Sequence, residues 1–134
     1  MSFQILNTKV IFNAQVTETV LGFDANLKQP GNLTFDQVDI NIGNALNGSA
    51  GVFTAPIAGI YRMTFSDQSA LDEIEKTLVT VTKNYRFFFR IFDSNEAWMM
   101  QLNVGDEVRL YAMQNLNPSH YYPLTFTGEL IHID

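Results

Sequence analysis

Apolar residues recur at every second position in short runs, and turn residues separate the runs about every ten positions. That period is the pleat of a β-strand, whose successive side chains point to opposite faces. From Lys9 to Val16, the residues Val10, Phe12, Ala14 and Val16 fall on one face. Leu33 to Ile42 reads as extended, interrupted by Asp36 and Asp39. Gly59 to Ser66 carries Tyr61, Met63 and Phe65 on one side, and Thr77 to Lys83 carries Val79 and Val81. From Tyr85 to Phe92, Tyr85, Phe87, Phe89 and Ile91 share one face, and Arg86, Phe88, Arg90 and Phe92 the other. Ala97 to Val104 groups Trp98, Met100, Leu102 and Val104, and Glu107 to Met113 and Leu124 to Ile133 complete the series. This pattern predicts an all-β fold, an antiparallel jelly-roll β-sandwich of about ten strands.

The punctuation agrees with that reading. Pro30-Gly31 and Gly105-Asp106 are turn signals, and Asn47-Gly48 within Asn44 to Gly51 suits a turn that needs positive φ. Pro56 has no amide donor and belongs at a strand end or an edge. Gly59, three residues later, lets the chain reverse closely. Asp67 to Lys76 is polar and acidic, a loop or a single helical turn, and little helix is expected elsewhere. No linker, repeat or low-complexity block divides the chain, so residues 1–134 are expected to form a single domain. The expected core holds Phe53, Tyr61, Phe65, Phe87, Phe89, Trp98, Leu102, Leu110 and Phe126.

Composition narrows the function. Of 134 residues, 46% are hydrophobic, enough for one core without metals or crosslinks. There is no Cys, which removes disulfides and thiolate sites but does not fix the compartment. A net charge of −6 argues against a nucleic-acid binder, which needs a basic footprint. No run approaches the ~18 apolar residues of a membrane span. The opening Met1-Ser2-Phe3-Gln4-Ile5-Leu6 lacks the basic and long apolar stretches of a signal peptide. Either the protein does not use that route, or the sequence is a mature or excised fragment.

Candidate chemistry is sparse. A nucleophilic triad needs a base and an orienting acid around Ser or Cys, and Ser119 beside His120 is adjacency in sequence alone. A cupin-type metal site wants several His on facing strands, and only His120 and His132 are present. Gly43-Asn44-Ala45-Leu46-Asn47-Gly48 has no Lys and opens no helix, so it is no phosphate loop. Oxygen-rich stretches are the better lead: Asp67, Asp72, Glu73 and Glu75 in one connection, Asp93, Asn95 and Glu96 in another. Calcium takes several oxygens at once, although no ordered ligand spacing is present. Asn117, His120, Tyr121 and Tyr122 cluster in a loop between two strands, where aromatic faces and hydrogen bonds suit a sugar. Asn32-Leu33-Thr34 and Asn47-Gly48-Ser49 are glycosylation sequons, which matter only on a secretory route.

Several motifs occur in a telling order. Phe12-Asn13-Ala14 opens it, followed by Phe35-Asp36-Gln37-Val38 and Asn41-Ile42-Gly43. Gly51, Phe53, Pro56, Gly59, Tyr61 and Phe65 fill a Gly-x-Phe-x-x-Pro-x-x-Gly-x-Tyr-x-x-x-Phe pattern. Lys83-Asn84 follows, then Leu102-Asn103-Val104-Gly105-Asp106-Glu107-Val108-Arg109-Leu110, and last Phe126, Gly128 and Leu130. Over roughly Val10 to Ile133 this resembles the globular head domain of complement C1q, a relative of the tumour necrosis factor fold. Two features depart from that pattern. Glu129 stands where an aromatic is common, and no collagen-like Gly-X-Y stalk is present.

The resemblance implies a C1q/TNF-like jelly roll whose structural positions include Phe12, Phe53, Tyr61, Phe65, Gly105, Phe126 and Gly128. It implies a homotrimer, with Ile11, Phe88, Phe92 and Met99 as candidate interface residues and Arg86 and Arg90 as partners for carboxylates across the contact. It implies a calcium site near the trimer apex, with Asp67, Asp72 and Glu73 as candidate ligands. The expected function is non-catalytic recognition of a glycan, a microbial surface or a protein ligand through apical loops, in an extracellular, innate-immune setting. A purely structural trimerisation module is the alternative, and a cytokine-like receptor ligand ranks below it. A jelly-roll enzyme ranks last, because no polar constellation supports one.

Overall fold

The computed structural model describes residues 9–17, 31–67, 79–91, 95–112 and 124–134, and within them eleven antiparallel strands occur and no helix. The first sheet has the order β3 (Gln37–Ile42), β1 (Ile11–Val16), β11 (Leu124–Ile133), β6 (Gly59–Asp67) and β9 (Asn95–Leu102). The second has the order β4 (Leu46–Asn47), β5 (Val52–Thr54), β10 (Glu107–Ala112), β7 (Val79–Lys83) and β8 (Arg86–Ile91), and β2 (Gly31–Asn32) pairs with β10. Neighbours in each sheet are mostly distant in sequence, which is jelly-roll topology. The count exceeds the expected ten because β2 and β4 are two-residue strands, too short to leave a periodic trace.

Alternation delivers the core. Phe12, Ala14 and Val16 of β1 are buried, and Ile11, Asn13 and Gln15 between them are less so. On β6, Tyr61, Met63 and Phe65 point inward in the same way. Phe12 meets Phe126 edge-on at 4.8 Å between ring centroids and Phe53 at 5.2 Å, and Phe53 meets Tyr61 at 5.3 Å. Each such ring contributes about 1.5–3 kcal/mol by leaving water. Tyr61 keeps its hydroxyl satisfied by donating to the Ile57 carbonyl at 2.6 Å, and burial raises its pKa.

Two glycines of the motifs mark close approaches. A Cβ on Gly128 would stand 2.3 Å from Cε1 of Phe12, so the ring lies flush against the β11 backbone. A Cβ on Gly59 would stand 2.0 Å from the His132 carbonyl oxygen. Gly59 therefore admits β11 beside β6, rather than serving the chain reversal its spacing from Pro56 suggests.

Four expectations are corrected. Phe87, expected in the core, is 67% exposed. The β7–β8 hairpin turns on Asn84 (φ 51°) and Tyr85 (φ 65°), the two left-handed residues of a tight mirror-image turn. The register then shifts: Val81 faces Phe89 and Thr82 faces Phe87, leaving Phe88 as the extra residue of a bulge. One inserted residue reverses the pleat, so Ile91 is buried, Phe89 is half-buried, and Phe87 turns out to solvent. Val104, grouped with Met100 and Leu102 by period, falls in the turn after β9 and is exposed. Between residues 43 and 51, the left-handed residues are Gly43, Asn44 and Gly51, while Asn47 lies in β4. Gly105 is exposed at φ 88°, so its structural role is the β9–β10 turn and not the interior.

Candidate functional site

The outer face of the first sheet is open, and its pairing register arranges it in rungs. Directly paired residues share a face. The first rung runs Ile42, Ile11, Glu129, Arg62, Met99. The second runs Ile40, Asn13, Thr127, Thr64, Ala97, and the third Gln37, Gln15, Thr125, Ser66, Asn95. The face thus grades from aliphatic and charged to wholly polar. Met99 is 63% exposed, and Ile40 and Ile42 are each 42% exposed. The Thr64 and Thr127 hydroxyls hydrogen-bond to each other, and the Ser66 hydroxyl donates to Asn95 Oδ1 at 2.6 Å. Asn13 Oδ1 is buried beside them without a hydrogen-bond partner among the described residues.

Of the six residues expected at a subunit contact, Ile11 and Met99 share the first rung. Phe88, Arg86 and Arg90 lie on β8, at the edge of the other sheet. The Phe89 ring meets Trp98 of β9 edge-on at 5.0 Å, so the β8 and β9 edges form one side wall of the sandwich. Phe88 is 40% exposed on that wall. Phe92 lies outside the described residues. Arg62, Ile40 and Ile42 were not among the expected interface residues. The alternation of Ile40 and Ile42 about Asn41 was the available signal for part of this face; the Arg62–Glu129 juxtaposition needs the strand register.

Pairing also sorts the sandwich into two ends. Val16, Asp67, Val79, Ile91, Asn95, Ala112 and Leu124 gather at one of them. Asp67, an expected calcium ligand, is 2% exposed there. Asp72 and Glu73, and the candidate ligand residues Asn117, His120, Tyr121 and Tyr122, lie outside the described residues. Among the described residues, no three acidic or histidine side chains come together.

At the opposite end, residues 44–49, 54–56 and 104–105 border a cleft of about 820 Å³. Its amides serve its own walls: Asn41 donates to the Leu46 carbonyl at 2.8 Å and accepts from Leu46 N at 3.2 Å. Asn47 Oδ1 accepts from the Ser49 hydroxyl and from Ala50 N. The second sequon is thus an exposed turn, whereas Asn32 Nδ2 donates to the Ala50 carbonyl at 2.8 Å and its Oδ1 is buried.

Beside this cleft two turns are latched together. Asp106 accepts from Asn84 Nδ2 at 2.9 Å and from Asn103 N at 2.7 Å, with Lys83 Nζ at 3.7 Å. The Asn84 amide first, then the Asn103 N–H and the Lys83 charge, hold the Asp106 carboxyl below the ordinary Asp range. Asn84 Oδ1 in turn accepts from Glu107 N at 2.8 Å. Arg109 lies over the Tyr85 ring at 4.2 Å, a cation–π contact, and meets Glu107 at 3.4 Å. These groups fix turns; no nucleophile stands beside a base here.

Two antiparallel sheets in jelly-roll order, an open rung-patterned face and loop-bearing ends define a module of the C1q and tumour necrosis factor class. Residues 11–131 match the model of the C1q domain, and the chain belongs to that family. It is 32% identical over 115 residues to human "Complement C1q tumor necrosis factor-related protein 3", an alignment spanning 77% of this chain and 46% of that protein. The chain spans less than half the length of the curated relatives it matches. The globular domain of zebrafish complement 1qA superposes with a TM-score of 0.63 at 18% identity, covering 93% of this chain and 99% of that one. GITRL from bushbaby superposes with a TM-score of 0.53 at 10% identity, covering 92% and 96% respectively. These likenesses show the shared fold.

Proposed function

We propose that this chain is an extracellular, non-catalytic recognition module that assembles as a homotrimer and binds a glycan, a microbial surface pattern or a protein ligand. The observation that carries this reading is the open outer face of the first sheet. Ile11, Ile40, Ile42 and Met99 lie exposed or half-exposed on it, while the inner face is fully packed. The β8–β9 wall with Phe88 supplies a second, unlike surface. An edge that packs on a neighbour's face is a heterologous contact, and a ring of three closes it. In that ring, Arg86 and Arg90 reach carboxylates of the adjoining copy.

The ligand end is the one where Val16, Asp67, Ala112 and Leu124 gather. The strands flanking residues 68–78 and 113–123 end there; those stretches of sequence carry Asp72, Glu73, Asn117, His120, Tyr121 and Tyr122, and calcium is the cation that suits such oxygens. Loops on a rigid scaffold are where recognition concentrates. Solution mass by light scattering, then a glycan and lipopolysaccharide screen with and without chelator, tests both parts. The expected result is a particle of three chain masses with a signal that a Tyr121→Ala/Tyr122→Ala double variant loses. An unchanged signal in that variant removes the loop from the ligand site.

The second reading is an assembly module without a ligand. The cleft of about 820 Å³ favours it, because the Asn41 and Asn47 side-chain oxygens there already accept from neighbouring turn atoms. It predicts a trimer that is silent on every array. A receptor-ligand role ranks third, resting on fold likeness alone.

A further inference from the structure

We infer that Arg62 and Glu129 pair between copies of the chain, so that the assembled face holds an ionic layer in place of an apolar one. The inference rests on the trimer proposed above. Arg62 and Glu129 are direct cross-strand neighbours at the centre of the first rung. Ile11 flanks the pair on one side and Met99 on the other. Neither charge has an ion-pair partner in its own chain among the described residues, although Lys83 and Arg109 both do.

A bare charge on a face that becomes covered is costly unless an opposite charge meets it. An apolar partner would leave the two groups only each other to meet, and a partner of single charge would attract one and repel the other. In a closed ring each copy brings one cation and one anion to the same height, so where the centres of these faces converge on the axis the Arg62 of one copy can meet the Glu129 of the next. The carboxylate accepts from the planar guanidinium in a forked, charge-assisted geometry. The neighbouring rung is of the same polar character, with the Thr64 and Thr127 hydroxyls hydrogen-bonded to each other. Glu129 also explains its own departure from the aromatic common at that place, since an aromatic beside Arg62 would leave the guanidinium without an acceptor.

Sedimentation and native mass spectrometry of the whole chain test this, with circular dichroism confirming the fold of each variant. Wild type should assemble as a trimer. Arg62→Glu and Glu129→Arg should each weaken assembly about tenfold or more, by placing like charges in one layer. An equimolar mixture of the two variants should assemble more tightly than either alone, as mixed trimers in which two of the three contacts pair opposite charges. If either reversal does not fold, Arg62→Met and Glu129→Gln replace them, each expected to weaken assembly in a folded chain. Single variants that assemble as tightly as a trimeric wild type overturn the ionic layer and leave the trimer standing. Weakened singles that no mixture rescues overturn pairing between copies, because a pair within one chain cannot be repaired from outside. A wild type that stays monomeric at every concentration overturns the trimer itself.

Discussion

Gly128→Ala adds one methyl group to the inner face of the first sheet, directly opposite Phe12 on the neighbouring strand. The new Cβ would stand 2.3 Å from Cε1 and 2.6 Å from Cζ of Phe12. Comfortable carbon contacts are about 3.5–4.0 Å, so the ring must retreat by about 1 Å or more. It has little room to do so. Phe12 is 1% exposed, with Phe53 at 5.2 Å and Phe126 at 4.8 Å between ring centroids. Overpacking of this kind costs about 1–3 kcal/mol, and a ring held on two sides belongs near the upper end. Without the clash, Gly→Ala would stabilise by about 0.4–1 kcal/mol through the unfolded chain, so the sign alone is informative. The net expectation is a loss of about 2 kcal/mol. With an unfolding entropy of about 2.1 cal/mol/K per residue over 134 residues, melting should fall by about 7 °C. Far-UV circular dichroism melts at one fixed protein concentration measure it, since assembly makes the midpoint concentration-dependent. Phe12→Leu shortens the obstructing group, so the double variant should lose less than the two single variants added together. A Gly128→Ala protein that melts with or above wild type, or strictly additive losses, would refute the packing argument.

Other outcomes follow from the same structure. Phe126→Ala removes a 1%-exposed ring in contact with Phe12, Phe35 and Trp98 and should cost about 3–5 kcal/mol in chemical denaturation; a midpoint equal to wild type would place that ring outside the core. The Asp106 carboxyl is held below its ordinary value, so its contribution is present above the unfolded pKa of about 3.9 and disappears as pH falls through the lower folded value. Wild type should therefore lose its advantage over Asp106→Asn as melts are taken from neutral pH into that acid range, and parallel curves would count against the latch. The charge reversals at Arg62 and Glu129 and the Tyr121/Tyr122 double variant, described above, bear on assembly and on ligand binding separately.

Legibility varied with local regularity. On β1 and β6 every inward apolar residue could be read from the sequence, because a strand buried on one face with no bulge obeys period two throughout, although Asp67, expected in a loop, closes the inward row of β6. On β8 the same reasoning misplaced Phe87. The bulge between Val81 and Thr82 is set by cross-strand pairing, and no residue type in Arg86 to Ile91 announces it. Gly59 was recognised as necessary for the wrong reason: the oxygen that demands it belongs to His132, seventy-odd residues later. The Arg62–Glu129 neighbourhood was likewise hidden, since juxtaposition across β6 and β11 exists only once their register is known. Motif order, by contrast, survived well, because the glycines and aromatics of those motifs sit at close approaches in the turns and core layers that the fold requires.

The last strand in sequence occupies the middle of the first sheet, with β1 on one side and β6 on the other. During synthesis β1 and β6 therefore wait with bare amide edges until residues 124–133 have cleared the ribosome. Loops that long close slowly, and naked edges invite the wrong neighbour. Nascent chains crowded on one messenger should be most prone to mispairing in that interval, and a holding chaperone would act there.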